Sequence, residues 1–325
     1  MQVKNILITG GGGFIGSNIA IYFQQNFPNY NVTIFDKFDD GTKFENGNKQ
    51  FLGSYKNLLT FKGQIICGDI CDENDIKRLL KTKWDVIFHL AAISDTRASN
   101  QNLIYRNNIN SLYSIIEIAQ RSGARLVYAS SAAVYGNKSN MQLSVGDENP
   151  DNPYAFSKYA MDSICMNLLK DSYIYNIIGL RYFNVYGYGE AEKGTTASTI
   201  FKFTQQILKG KKPTLFNGSN AIFRDFVYIK DVVQATVSAG FLEVNGVFNV
   251  GTGISRSFSD VLSIVQNVLG SEQEVNYIDN PYTEGYQNFT EANIGETVIK
   301  LNYRPCYSLE EGVAEYLLDL NYFKR

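Results

Sequence analysis

A short apolar strand that runs into four consecutive glycines, and from them into a helix, leaves few folds open to a chain. Val3 to Thr9 (VKNILIT) is apolar and rich in strand formers. Gly10 to Gly13 follow, and Phe14, Ile15, Ile19, Ala20 and Phe23 then recur at helical spacing. With Gly16 the turn spells TGxxGxxG. Glycine lets the backbone turn tightly there and leaves room for a ligand against the main chain. The helix presents unpaired N–H groups and the positive end of its dipole. In this strand–turn–helix setting the predicted ligand is the pyrophosphate of a dinucleotide.

The same alternation continues. Val32–Phe35, Gln64–Cys67, Val86–Leu90, Arg125–Ala129 and Tyr175–Leu180 read as strands. Asp72–Lys81, with Asp72 as N-cap, Leu103–Arg121 and Tyr154–Leu169 read as helices. Strands separated by helices predict an α/β fold, a Rossmann-type doubly wound parallel sheet. Beyond Arg181 the pattern loosens into shorter, aromatic and glycine-rich elements, read as a smaller interleaved α/β substrate domain. The expected division is 1–180 and 221–250 for the dinucleotide-binding domain, with Gly246–Val250 as one more strand of its sheet. Residues 181–220 and 251–325 form the substrate side.

With 325 residues and 44% hydrophobic content, the chain can bury a large core. A net charge of −2 without a basic run excludes nucleic acid or an anionic membrane as the main partner. No apolar run reaches the ~18 residues of a membrane span and no signal-peptide pattern opens the chain, so a soluble cytoplasmic protein is expected. One histidine and four cysteines (Cys67, Cys71, Cys165, Cys306) are too few at the wrong spacing for zinc, so no metal is expected. The cysteines read as free, mostly buried thiols.

Ligands on such sheets sit at the carboxyl ends of the strands. Asp36 ends the second strand, where a carboxylate bonds the adenine ribose hydroxyls and favours NAD. Lys37 follows it and Lys43 lies on the next loop; ammonium groups near a 2′-phosphate favour NADP. Asp69 and Ile70, after the third strand, are expected to cover the adenine. Leu90, Ala91 and Ala92, after the fourth, let the cofactor pass closely. The polar, glycine-containing stretch Gly41–Gly53 reads as a loop near the cofactor.

Tyr154 and Lys158 stand four apart, on one helical face. A phenol is a poor base at its ordinary pKa of about 10. A neighbouring ammonium and the cofactor's positive ring favour the phenolate, which then takes a proton from an alcohol while hydride leaves. Ser131, after the fifth strand, is expected to orient the substrate oxygen, and Asn108, on the preceding helix, to help fix the arrangement. His89 is expected to pack at a strand end.

The glycine turn, Ser131 and YxxxK together resemble the extended short-chain dehydrogenase/reductase family. Ala132-Ala133 stand where a sugar-nucleotide 4,6-dehydratase carries an Asp-Glu pair, which disfavours dehydration. DKFDDGTKF (36–44), RYFNVYGYGEAEKGTTAS (181–198), LFNGSNAIFRDFVY (215–228), GYQNFT (285–290) and EGVAEY (311–316) resemble, over nearly the full length, the ADP-L-glycero-D-manno-heptose 6-epimerase family. That resemblance implies inversion of heptose C6 by transient oxidation to a 6-keto sugar and re-reduction with bound NADP, NAD being the alternative. It implies a role in making the lipopolysaccharide core. It assigns Tyr154 and Lys193 as the two acid/base groups, beside Ser131 and Lys158. Gly10, Gly13, Phe14, Ile15 and Gly16 hold the cofactor, and Lys43 and Lys56 lie near its phosphate. Ser94, Ser131, Asn184, Lys193, Ser198, Phe216, Arg224 and Tyr286 face a nucleotide-sugar substrate. Homo-oligomers, often pentamers, are implied as well.

The sequence departs from the family at Arg97, where a threonine is frequent, at Asn217, where an acidic residue is common, and at Glu284, where the stretch is usually basic. The remaining alternatives are another nucleotide-sugar epimerase or reductase of the same superfamily, or a non-catalytic dinucleotide-binding protein.

Overall fold

The computed structural model describes residues 3–138, 142–171, 176–280 and 287–322. The strands are β1 (Asn5–Thr9), β2 (Asn31–Asp36), β3 (Gln64–Cys67), β4 (Val86–His89), β5 (Arg125–Ser131), β6 (Ile177–Tyr182), β7 (Asn184–Tyr186), β8 (Thr214–Phe216), β9 (Phe223–Tyr228), β10 (Gly246–Val250), β11 (Ser255–Ser257) and β12 (Asn276–Ile278). The helices are α1 (Phe14–Asn26), α2 (Glu73–Leu79), α3 (Gln101–Tyr105), α4 (Ser111–Ser122), α5 (Pro153–Lys170), α6 (Thr199–Leu208), α7 (Ile229–Ala239), α8 (Phe258–Leu269), α9 (Gly295–Leu301) and α10 (Leu309–Tyr322).

Seven strands form one parallel sheet in the order β10-β6-β5-β4-β1-β2-β3. Parallel strands need long crossovers, and helices supply them on both faces. Alternate residues of one strand therefore enter different cores. Ile6 and Ile8 of β1 join the cluster that reaches α1 and α7, while Leu7 between them joins the cluster with α2, α4 and α5. The chain reverses its direction of travel across the sheet between β1 and β4, whose ends Thr9 and His89 lie in register. A crevice opens at such a switch point. Two smaller sheets, β11-β9-β7 and β12-β8, accompany helices α6, α8 and α10.

The Rossmann-type sheet matches the sequence expectation, including β10 as an added strand. Asp72 caps α2 as predicted, its carboxylate accepting from Asn74 and Asp75 N–H. The single helix predicted over 103–121 is instead α3, a π turn over Arg106–Asn110, and α4. That turn carries three asparagines, which compete for backbone partners. Asn107 Nδ2 bonds Leu103 O at 2.9 Å. β5 also runs on to Ser131, which pairs with Tyr182 of β6. The thiols correct another expectation: Cys165 is buried, Cys71 is partly exposed, and Cys67 and Cys306 are exposed. Cys67 lies on β3, an edge strand with one open side. Among the described residues no helix is long and apolar enough to cross a membrane.

Candidate active site

A cavity of about 470 Å³ lies at the carboxyl ends of β1 to β6. The glycine turn forms one end. Gly10 has φ +70°, and a Cβ there would sit 2.6 Å from Ala91 N. A Cβ on Gly16 would strike Gly10 O. Both glycines are therefore required by close approach of backbone to backbone. Gly10, Gly13, Phe14, Ile15 and Gly16 all line the cavity.

Asp36 ends β2 beside them. Its carboxylate accepts from Gly12 N–H at 2.8 Å and Phe38 N–H at 2.7 Å. Burial pushes its pKa up, and the backbone bonds oppose that. Lys37 pairs with Asp69 at 3.0 Å and lies 3.9 Å from the centroid of the Phe51 ring. Lys37, Asp69, Ile70, Leu90, Ala91, Ala92 and Ser94 line the cavity as expected. Lys43 and Lys56 do not. Lys43 sits exposed on a bridge to Lys49, and Lys56 pairs with Glu192 at 3.3 Å.

α5 begins at Pro153, whose missing N–H is harmless in a first turn. Asn152 caps it by accepting from Ala155 N–H at 2.9 Å. This start puts Tyr154 in the first turn and Lys158 one turn on, and both line the cavity with Ser131. Burial raises the Tyr154 phenol, while a hydrogen bond with the Ser131 hydroxyl pulls it down. Of the charges expected to favour the phenolate, the protein itself supplies the Lys158 ammonium, and the positive ring would come with a bound cofactor. The Lys158 ammonium lies 6.0 Å from the Tyr154 ring centroid and donates to Ala129 O at 2.7 Å. Burial lowers its pKa to about 8, against the opposing charge of Asp162.

Asp162, one further turn along α5, ties that helix to β5. Its carboxylate accepts from Tyr128 Oη and Ser130 Oγ, both at 2.9 Å, and from Arg181 Nε at 2.8 Å. Arg181 also pairs with Glu148 at 2.6 Å. This buried knot sits behind Ser131 and Lys158. Asn108 lies outside the cavity lining and is fully buried: it accepts from Ile93 N–H at 2.8 Å and donates to Ile93 O and Ser157 Oγ, both at 2.9 Å. It joins the loop after β4 to α5. His89 is buried with Nδ1 2.8 Å from Thr9 Oγ1, and burial depresses its pKa to about 3. It is a neutral strand-end residue outside the cavity lining.

On the other side, the segment 187–198 turns back on Glu190. That carboxylate accepts from Gly187 N–H at 3.1 Å, Ser198 N–H at 2.6 Å and Ser198 Oγ at 2.9 Å. Ser198 in turn caps α6. Ser198, Asn184 and Lys193 line the cavity. The Lys193 ammonium lies 5.5 Å from the Phe14 ring centroid, and burial lowers its pKa against the pull of Glu190.

Two residues expected at the substrate are not among those that line this cavity. Phe216, on β8, is outside the lining. Arg224 is too: it donates to Phe223 O at 2.9 Å and to Gln287 O, and its guanidinium lies 5.7 Å from the Phe258 ring centroid. Phe258 itself lines the cavity, so Arg224 touches the wall through that ring. Tyr286 and Glu284 lie outside the described residues. Asn217 bonds Asp279 at 2.8 Å, away from the cavity, so that departure does not alter the lining. Arg97 Nε lies 3.8 Å from Asp95, next to the lining residue Thr96.

Sequence reading missed Phe51, Leu52 and Gly53, the aromatic wall of Phe183, Phe226 and Phe258, and the linings from Thr96, Asn107 and Thr196. The loop 41–53 was recognised, but nothing local marks Phe51 or Leu52 as facing inward.

Residues 6–251 match the NAD dependent epimerase/dehydratase family. The chain is similar to Helicobacter pylori ADP-L-glycero-D-manno-heptose-6-epimerase, at 40% identity and TM-score 0.88, over 98% of this chain and 96% of that one. It is also similar to UDP-N-acetylglucosamine 4-epimerase from Methanobrevibacter ruminantium (28%, TM-score 0.84, 98% and 100% covered). A third relative is UDP-glucuronic acid 4-epimerase from Bacillus cereus, solved with UDP-glucuronic acid and NAD (28%, TM-score 0.81, 97% and 99% covered). With its parallel sheet, glycine turn and Ser131–Tyr154–Lys158 cluster, the chain belongs to the NAD dependent epimerase/dehydratase family.

Proposed function

We propose that the protein inverts C6 of the heptose in ADP-D-glycero-D-manno-heptose, serving lipopolysaccharide core biosynthesis. The observation that carries the reading is that Lys193 and Tyr154, from separate segments, line one cavity. The heptose C6 is an unactivated carbinol, so its proton cannot simply be removed. When bound, a nicotinamide dinucleotide would supply the redox chemistry, as acceptor of the C6 hydride and donor of it to the other face of the 6-keto sugar. Inversion then calls for acid/base groups serving two faces. Tyr154 Oη takes the hydroxyl proton, aided by the Ser131 hydroxyl and the Lys158 ammonium, and Lys193 Nζ serves as the second group. The 40% identity to the Helicobacter pylori enzyme supports this substrate over the UDP sugars of the 28% relatives.

The residues present fit a dinucleotide: the glycine turn would face the pyrophosphate, and Asp36 the adenine ribose. We propose NADP, with Lys37 as the cation nearest its 2′-phosphate. Asp36 favours NAD as the second reading, since its buried carboxylate would face that phosphate. Thermal shift with each cofactor decides: a larger shift with NADP that Lys37→Ala removes supports the first, and a larger shift with NAD supports the second. We further propose a cytoplasmic homo-oligomer, with the elements after residue 180 forming the substrate side.

The test is incubation with ADP-D-glycero-D-manno-heptose, followed by proton NMR. Appearance of both C6 epimers without net change in reduced cofactor is expected. Absence of conversion, with or without added NADP or NAD, sinks this substrate and directs attention to Arg97.

A further inference from the structure

Lys193 lies in a short 3₁₀ segment, Glu190–Thr196, and the ammonium of a long flexible side chain stays in one place only if that backbone is fixed. Its neighbour Gly194 (φ 58°, ψ −121°) breaks that segment, so its short-range backbone bonds do not by themselves tie it to the rest of the fold. Side chains do. Glu192 accepts from Ser54 Oγ at 3.1 Å and pairs with Lys56 at 3.3 Å. Thr195 donates to Asn48 Oδ1. Asn48, itself buried, donates through Nδ2 to the buried carboxylate of Asp95 at 2.6 Å, which fixes its orientation. Both grips fall on one segment, 37–58. That segment rests on the glycine turn, since Ser54 N–H and Asn57 Nδ2 both donate to Gly12 O, at 2.9 and 3.1 Å. The same turn starts α1 and so sets Phe14, whose ring lies beneath the Lys193 ammonium. The contacts close a circuit from Phe14 through Gly12, Ser54 and Glu192 back to Lys193.

We infer that Glu192 and Thr195 are positioning residues for Lys193, holding its ammonium over Phe14 by gripping the segment 37–58 from both sides. This rests on the reading of Lys193 as an acid/base group, though the positioning itself does not need the heptose as substrate. Neither residue lines the cavity, so both act through Lys193 and not on substrate.

Thr195→Val and Glu192→Ala remove one grip each, and Thr195→Ser keeps the hydroxyl. Misplacing a reacting group lowers kcat by about tenfold to a hundredfold. That loss is expected in the first two, with KM little changed, and wild-type turnover is expected in Thr195→Ser. Wild-type kcat in both Thr195→Val and Glu192→Ala overturns the inference. A second measurement needs no substrate: acetylation of Lys193 by acetic anhydride, read by peptide mass spectrometry against the exposed Lys211. Faster labelling of Lys193 in both variants supports the grip, and unchanged labelling overturns it. If Lys193→Met turns over normally, the acid/base reading fails, and the labelling still decides the positioning.

Discussion

The floor of the cavity comes from residues that end or directly follow strands of one sheet, whereas the wall beside its aromatic side chains comes from two loops, 37–58 and 187–198, joined by side chains. On the floor, Gly10, Asp36, Ala91, Ser131 and the start of α5 are set by where a strand stops or a helix begins. In the wall, Lys193 is set by partners more than a hundred residues away along the chain, through Ser54–Glu192 and Asn48–Thr195. The difference teaches that one site can have two kinds of rigidity. Backbone hydrogen bonding fixes the chemistry, and a few polar side chains fix what approaches it.

The sharpest way to break this comparison is to remove a proton carrier from the floor. Tyr154→Phe is expected to lower epimerisation by about 10²–10⁴ while cofactor binding stays, as measured by turnover and by cofactor titration. Equal turnover in that variant would falsify the role of the phenol. Next comes the wall: Lys193→Met should lower kcat for both epimers by roughly 10- to 100-fold, again with cofactor retained.

A pH series separates activity from stability. Lys158 titrates at about 8, down from 10.5 because it is buried. It loses its charge as pH rises through that value, so kcat should fall by about tenfold for each unit above it if the ammonium is needed. Stability responds with the opposite sign. Between about 8 and 10.5 the unfolded chain holds this proton and the folded chain does not, so this group's contribution raises stability as pH increases. A kcat that is flat from pH 7 to 9 removes Lys158 from the proton-transfer step.

The smallest expected effect belongs to Gly194→Ala. Nothing crowds a Cβ there, yet φ is +58°, so the change costs about 1 kcal/mol of backbone strain and roughly one to two degrees in Tm. A stabilised Gly194→Ala variant would show that the loop readily abandons this turn.

This contrast also explains what the sequence made legible. The glycine turn, YxxxK and Ser131 are local patterns, and local patterns survive without knowledge of contacts. Asp36 was placed correctly because it ends a strand. Lys43 and Lys56 were expected near the cofactor phosphate by resemblance; neither lines the cavity, and Lys56 pairs with Glu192. Arg224 was expected at the substrate by resemblance. Its guanidinium packs near the Phe258 ring, a tertiary contact that no local pattern announces. Phe183, Phe226 and Phe258 look like ordinary core in sequence, and only tertiary packing gives each of them a face on the cavity. The π turn over Arg106–Asn110 was hidden because its flanks carry a helical pattern, although its run of asparagines was a signal of weak helix preference.

The knot of Asp162, Arg181 and Glu148 has a consequence for how such a protein can change over generations. Losing one member strands an opposite charge away from water, which costs about 3–5 kcal/mol, whereas replacing the set together by well-packed apolar residues is often neutral. The three are therefore expected to be inherited or lost as a unit, and intermediate states face a barrier. Since Asp162 also ties the helix of Tyr154 and Lys158 to the strand of Ser131, that barrier shelters the reacting groups from drift. The loop that carries Lys193 is anchored by one buried carboxylate, Glu190, and not by such a paired set, so changes of substrate are expected to begin there, over a slower-changing catalytic floor.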